Sequence, residues 1–125
     1  AKIQTGLLAF VCFESADVES TTDQFIKKIS EFTFFDDNRG VMASNLKEID
    51  GELMLVSQFT LAAITNKGNK PSFHKAAKTD DARLLYNQLI QKLDQSSINY
   101  QSGEFGANMN VALVNAGPVT FSFNF

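Results

Sequence analysis

The residues best equipped for chemistry stand together at Ser57-Gln58-Phe59-Thr60, where hydroxyl and amide side chains interrupt an otherwise apolar run. A strand end of this composition can offer hydroxyls and backbone N–H groups to a ligand. It can equally be a strand leaving the core with its side chains in water, and the residues alone leave both readings open. A Thr hydroxyl becomes a nucleophile only when a base activates it, and no base lies near Thr60 in sequence. No Ser sits in a Gly-x-Ser-x-Gly elbow, and no Gly-x-x-x-x-Gly-Lys loop is present to cradle phosphate. Gly103-x-x-Gly106 is too short a pattern to carry meaning alone. One Cys (Cys12) and one His (His74) are too few for a Cys/His metal site within the chain. Neither a metal nor a cofactor is expected.

A second cluster runs from Lys67 to Lys78, with Lys67, Lys70, Lys75, Lys78 and His74 and no acidic residue. It reads either as a solvated loop or as a local contact for an anion. Gly117-Pro118 marks a turn between two alternating segments. By frequency its peptide bond is expected to be trans, since only about 5–6% of X-Pro bonds in folded proteins are cis.

These residues need elements to hold them. Gly6 to Phe13 is an apolar run that reads as a buried strand. Ser20 or Thr21 suits a helix cap, and Phe25, Ile26, Ile29 and Phe32 follow on one helical face. Asp36-Asp37-Asn38-Arg39-Gly40 is a turn by composition. Glu52 to Ala63 reads as a long strand, covered on both faces where Leu53-Met54-Leu55-Val56 begins it. Asn66 to Phe73, with Gly68 and Pro71, is a loop. Asp80 to Gln95 is the second helix, with Ala82, Leu85, Leu89 and Leu93 on one side and Asp80 and Asp81 at its positive end. Met109, Val111 and Leu113, then Val119, Phe121, Phe123 and Phe125, alternate with small or polar residues as two strands with one face on a core. The result is a single α/β domain over residues 1–125, with a mostly antiparallel or mixed sheet and two helices.

Composition narrows the class. The chain of 125 residues suits one domain with one core, and of its twelve Phe most are expected inside. The run from Gly6 to Phe13, preceded only by Lys2 and followed by Glu14, is too short for a membrane span and unlike a secretory signal. A lone Cys fits a reducing cytoplasm. A net charge of −3 argues against a broad duplex-binding surface, so any RNA contact is local.

Several of these segments together resemble the D-aminoacyl-tRNA deacylases, first described as D-tyrosyl-tRNA deacylases. Ser57-Gln58-Phe59-Thr60-Leu61, followed by Lys67-Gly68-Asn69-Lys70-Pro71-Ser72-Phe73, is one motif; Asn115-Ala116-Gly117-Pro118-Val119-Thr120 is the other. Gly103-Glu104-Phe105-Gly106 and Met109 lie between them, and Gly6-Leu7-Leu8 and Gly51-Glu52 also match, so the resemblance covers essentially the whole chain. Members of the family begin with a strand hairpin that includes a Gln-Arg-Val stretch. This chain starts at Ala1, where that hairpin would have ended, so the hairpin and an Arg supporting the Gly-Pro element are expected to be missing.

The resemblance implies a barrel-like sheet, a homodimer, and hydrolysis of D-aminoacyl-tRNA and glycyl-tRNA to free tRNA and amino acid, a proofreading task in the cytoplasm. It implies that Ser57, Gln58, Phe59 and Thr60 line the reacting ester. Gly117-Pro118 would be cis and inserted into the partner subunit's site, where its backbone oxygens exclude an L side chain. Phe105 and Met109 would hold the terminal adenine. Lys67, Pro71 and Phe73 would also meet substrate, with Lys67, Lys70 and Lys75 on phosphates. Thr60 is assigned to positioning, with the ribose 2′-hydroxyl helping to activate water; the alternative is Thr60 as the nucleophile. The 3′ end of aminoacyl-tRNA is the expected partner; neither DNA nor a membrane is. Two other readings are a non-catalytic module binding the aminoacyl end, and a paralogue editing L-alanyl-tRNA. The intact Asn115-x-Gly117-Pro118-Val119-Thr120 argues against the second.

Overall fold

The first apolar run pairs at Gly6–Val11 (β1) in the computed structural model, which describes residues 1–125. The chain continues through α1 (Glu19–Glu31), β2 (Phe35–Asp37), β3 (Gly40–Ser44) and β4 (Glu52–Ser57). A 3-10 turn (Phe59–Ala62), α2 (Thr79–Asp94) and β5 (Tyr100–Ser102) follow. β4 is the centre of a three-stranded sheet in the order β1-β4-β5, and both of its neighbours run parallel to it. Parallel neighbours need long crossovers, and α1 and α2 lie in them. Asn38-Arg39, the middle of the expected Asp36–Gly40 turn, closes a separate antiparallel hairpin, β2-β3.

A central strand explains the continuous apolar start of β4. Leu53 and Leu55 are fully buried, and Val56 on the opposite face is buried too. Truncating either of the two Leu to Ala would cost ~2–5 kcal/mol. The core adds Ile29 from α1, Leu85, Tyr86, Leu89 and Leu93 from α2, and Phe13, Phe34 and Leu46 from the connections. A Cβ on Gly6 would lie 1.8 Å from the Glu52 carbonyl oxygen, so β1 approaches β4 this closely only because residue 6 is Gly. The two helices are tied by Lys92, whose Nζ reaches the buried Thr22 Oγ1 at 2.8 Å and Asp23 at 3.0 Å.

Several expectations are corrected. The expected mixture of strand directions is present, as a parallel three-stranded sheet beside an antiparallel hairpin, but the main sheet is open and is not barrel-like. Alternation of apolar residues reports one buried face but says nothing about which edge pairs with what. The two C-terminal segments around Met109 and Phe123 accordingly carry the expected alternation without forming ladders. Phe121, Phe123 and Phe125 still share a side, with neighbouring rings 6.3 and 6.4 Å apart. They lean on Phe32 and Phe25 of the α1 region. The strand expected over Glu52–Ala63 ends at Ser57, because β1 ends at Val11 and the last inter-strand bond runs from Gln58 N–H to Val11 O at 2.7 Å. Helix α1 starts at Glu19 rather than being capped by Ser20 or Thr21; Thr21 instead reaches back, its Oγ1 accepting Val18 N–H at 3.1 Å. Only Phe13 and Phe34 of the Phe residues are buried, and Phe10, Phe59, Phe73, Phe121 and Phe125 are exposed.

Candidate active site

All three parallel strands end at one edge of the sheet. Val11 pairs with Ser57, and Ser102 pairs with Leu55. The segments that leave this carboxyl edge are Cys12-Phe13, Gln58-Phe59-Thr60 and Gly103-Glu104-Phe105. Open α/β sheets bind ligands in the crevice outside the carboxyl ends of their strands. Two groups separated in sequence, Ser57–Thr60 and Gly103–Met109, are therefore neighbours in space.

Beyond Ser57 the backbone tightens into the 3-10 turn. Its first turn bond runs from Leu61 N–H to Gln58 O at 3.3 Å, so the N–H groups of Phe59 and Thr60 precede the ladder and stand at its open end. Gln58, Phe59 and Thr60 are exposed and Ser57 is half-buried. Cys12 braces the turn from below: its thiol lies 3.6 Å from the Phe59 carbonyl oxygen and 3.6 Å from that of Phe13. Burial pushes the Cys12 thiol up, which keeps it protonated and unreactive at neutral pH. No side chain hydrogen-bonds to the Thr60 hydroxyl, and the one imidazole, His74, pairs through Nδ1 with Ser72 Oγ at 2.9 Å.

The lysine-rich loop folds over the same region. Ile64 and Ser72 exchange backbone hydrogen bonds at 2.7 and 3.0 Å and close it, and Ala77 N–H donates to Phe13 O at 2.9 Å. The Phe73 ring rests on Phe59, centroids 5.0 Å apart. Lys67, Lys70, Pro71 and Lys75 are exposed, and none of these lysines forms an ion pair; the salt bridges all belong to Arg39 and Lys92. The loop is thus a free cationic rim beside the 3-10 turn.

On the other side, Gly103 N–H donates to Leu55 O at 2.8 Å, and Tyr86 hydroxyl donates to Gly103 O at 3.1 Å. Met109 lies over Gly103 so closely that a Cβ there would be 2.6 Å from its Sδ. Phe105 is half-buried, with Tyr86 5.4 Å away between centroids.

Gly117-Pro118 is a cis dipeptide. It is exposed, and Asn115 shapes the turn that carries it: Oδ1 accepts Val119 N–H at 3.0 Å and Nδ2 donates to Thr120 Oγ1 at 2.9 Å. These bonds stay within the turn. The single chain thus brings together Ser57–Thr60, Lys67–Phe73 and Gly103–Met109, and leaves Gly117-Pro118 held only by its own residues. Sequence reasoning passed over the Cys12 brace and the Asn115 clamp. The spacing of Asn115 and Thr120 around Gly-Pro was a usable signal for the clamp; nothing local points from Cys12 to Phe59.

A family model described as D-Tyr-tRNA(Tyr) deacylase matches residues 1–124. The D-aminoacyl-tRNA deacylase of Finegoldia magna is 43% identical over 120 residues, which is 96% of this chain and 81% of that protein. The D-aminoacyl-tRNA deacylase of an Azoarcus species is 45% identical over 119 residues, 95% of this chain and 79% of that protein. Among solved structures, the c-Myc DNA Unwinding Element Binding Protein superposes with a TM-score of 0.85 at 31% identity, covering 94% of this chain and 80% of that one. A probable eukaryotic D-amino acid tRNA deacylase gives a TM-score of 0.70 at 15% identity over 85% of this chain and 77% of its own, a likeness of fold.

Proposed function

The chain belongs to the D-Tyr-tRNA(Tyr) deacylase family, the D-aminoacyl-tRNA deacylases, and on that premise we propose that it hydrolyses the ester linking a D-amino acid, or glycine, to the 3′ end of tRNA. The observation that carries the reading is the convergence of Ser57–Thr60 and Gly103–Met109 at the carboxyl edge of one parallel sheet.

In this reading the ester carbonyl lies at the open end of the 3-10 turn. The N–H groups of Phe59 and Thr60 receive the oxyanion of the tetrahedral intermediate, a form of stabilisation that is often the largest catalytic contribution. Water attacks the carbonyl carbon, the ester C–O bond breaks, and the ribose oxygen leaves with a proton. Thr60 positions the ester, and the ribose 2′-hydroxyl assists the water; a Thr60 hydroxyl with no hydrogen-bonded base favours this division. Phe105 and Met109 hold the terminal adenine, and Lys67, Lys70 and Lys75 meet phosphates. Local cationic contact reconciles an RNA substrate with a net charge of −3. No helix is long and apolar enough to cross a membrane, and a tRNA substrate accords with a cytoplasmic setting.

Chirality is read by Gly117-Pro118 from a second copy of the chain. Its exposure, its rigid Asn115 clamp and the unpaired segment around it favour a role between subunits. Val114 is 92% exposed, and Leu113, Val119 and Phe121 are also exposed; apolar surface of this kind is what an obligate interface covers. An L side chain would meet the wedge, and a D side chain would point away.

The test is turnover of D-tyrosyl-tRNA and L-tyrosyl-tRNA by catalytic amounts of protein, with sedimentation to read its assembly. Many turnovers on the D ester alone, by a dimer, support the reading. Stoichiometric protection of the ester supports a binding module instead. Equal D and L rates, or full activity in a monomer, remove the wedge.

A further inference from the structure

The protein has two arginines, Arg39 and Arg83, and they are used in opposite ways. Arg39 is consumed by its own hairpin and the segment that follows it: it pairs with Asp37 at 2.7 Å and Glu48 at 3.0 Å and also donates to Ala43 O. Arg83 forms no ion pair. It is exposed, and its guanidinium carbon lies 4.9 Å from the centroid of the Phe105 ring. None of the neighbouring carboxylates, Asp80 and Asp81 on the first turn of α2 and Glu104 beside Phe105, forms an ion pair with it. The dipole of α2 gives no reason for a cation here either, because Arg83 lies toward the helix's positive end, where acidic residues such as Asp80 and Asp81 are the favoured ones.

Arg83 and Tyr86 are three residues apart, hence adjacent on the surface of α2, and both touch Phe105. The ring therefore rests on the helix, with Arg83 at its exposed end. A guanidinium stacked on an aromatic keeps its in-plane N–H groups free, and that fork matches the geometry of phosphate oxygens. We infer that Arg83 is a substrate-binding residue that grips the phosphodiester on the 5′ side of the nucleotide held by Phe105. This inference rests on the proposed placement of the terminal adenosine at Phe105 and Met109. It gives the Gly103–Met109 side of the site its own phosphate contact, separate from the lysine loop.

The test compares D-tyrosyl-tRNA with D-tyrosyl-adenosine, which carries the same ester and base but no 5′ phosphate. Arg83→Gln should raise KM for the tRNA ester about tenfold, leave kcat unchanged and leave the adenosine ester unaffected. The salt dependence of tRNA binding should flatten by about 0.7 in log–log slope, as expected for one lost contact to single-stranded nucleic acid. Arg83→Lys should restore the salt slope while recovering only part of KM, because an ammonium is a point charge without the planar fork. Equal losses on both esters would assign Arg83 to the shape of Phe105, and no loss on either would leave it idle; each result overturns the inference. Binding of the trinucleotide CpCpA to wild type and Arg83→Gln, followed by NMR, reads the same contact without turnover. A wild type that binds CpCpA through Arg83 but cleaves neither ester would refute the deacylase activity and leave this contact standing.

Discussion

Asn115 Nδ2 donates to Thr120 Oγ1 across the Gly117-Pro118 turn at 2.9 Å, while the oxygen of the same amide accepts Val119 N–H at 3.0 Å. One side chain thereby holds both sides of an exposed loop that no secondary structure supports. Asn115→Ala removes both bonds, each worth ~0.5–1.5 kcal/mol. The D-over-L rate ratio should fall roughly tenfold, since about 1.4 kcal/mol is a factor of ten. Melting temperature should hardly move, because the turn is exposed. An unchanged ratio with an unchanged state of assembly would separate the clamp from chiral selection.

Thr60 is exposed, and no side chain hydrogen-bonds to its hydroxyl. Thr60→Ala should retain measurable deacylation of D-tyrosyl-tRNA, with a loss on the order of tenfold from poorer positioning rather than the far larger loss expected of a missing nucleophile. Abolished activity in a folded variant would restore Thr60 as the attacking group, and a trapped acyl-enzyme on wild type would do so directly.

Gly103 leaves room for Met109, whose Sδ would stand 2.6 Å from an added Cβ. Met is flexible, so Gly103→Ala should fold and displace the thioether instead. KM for D-tyrosyl-adenosine should rise severalfold with little change in kcat. If KM stays put while stability collapses, Met109 is packing and not part of a base subsite.

Tyr100 provides a pH signature. Burial, and then the Asp94 carboxylate that accepts its hydroxyl hydrogen bond, push its phenol up to about 12. Burial raises Tyr86 as well. The folded state favours the neutral phenol, so this contribution to stability is fully present below the unfolded value of about 10. It is lost as pH rises through about 12. With two Tyr and no Trp, the phenolate absorbance reports these groups alone. The folded protein should ionise well above the urea-unfolded chain, and Asp94→Asn should bring Tyr100 down while Tyr86 stays. Coincident folded and unfolded curves would show that the Tyr100–Asp94 pair does not form.

Local pattern was enough for the elements that bury a stripe or a whole strand. Leu85, Leu89 and Leu93 announce α2 because a helical period places them on one face, and Leu53 to Val56 announces a covered strand because no polar residue interrupts it. The motif residues were legible as well, since Ser57–Thr60, Gly103–Met109 and Asn115–Thr120 are contiguous segments. Strand partners were not legible. Backbone hydrogen bonds are blind to side-chain type, so the alternation in Met109–Leu113 and Val119–Phe125 specified a face and left the ladder undetermined. Parallel pairing of β1, β4 and β5 is a long-range choice made by the crossovers, and it brings the segments after β4 and β5 to one edge of the sheet. Arg83 shows the same division: its identity is written in the chain, but its freedom from carboxylates and its place on the Phe105 ring exist only once α2 and the segment after β5 have packed.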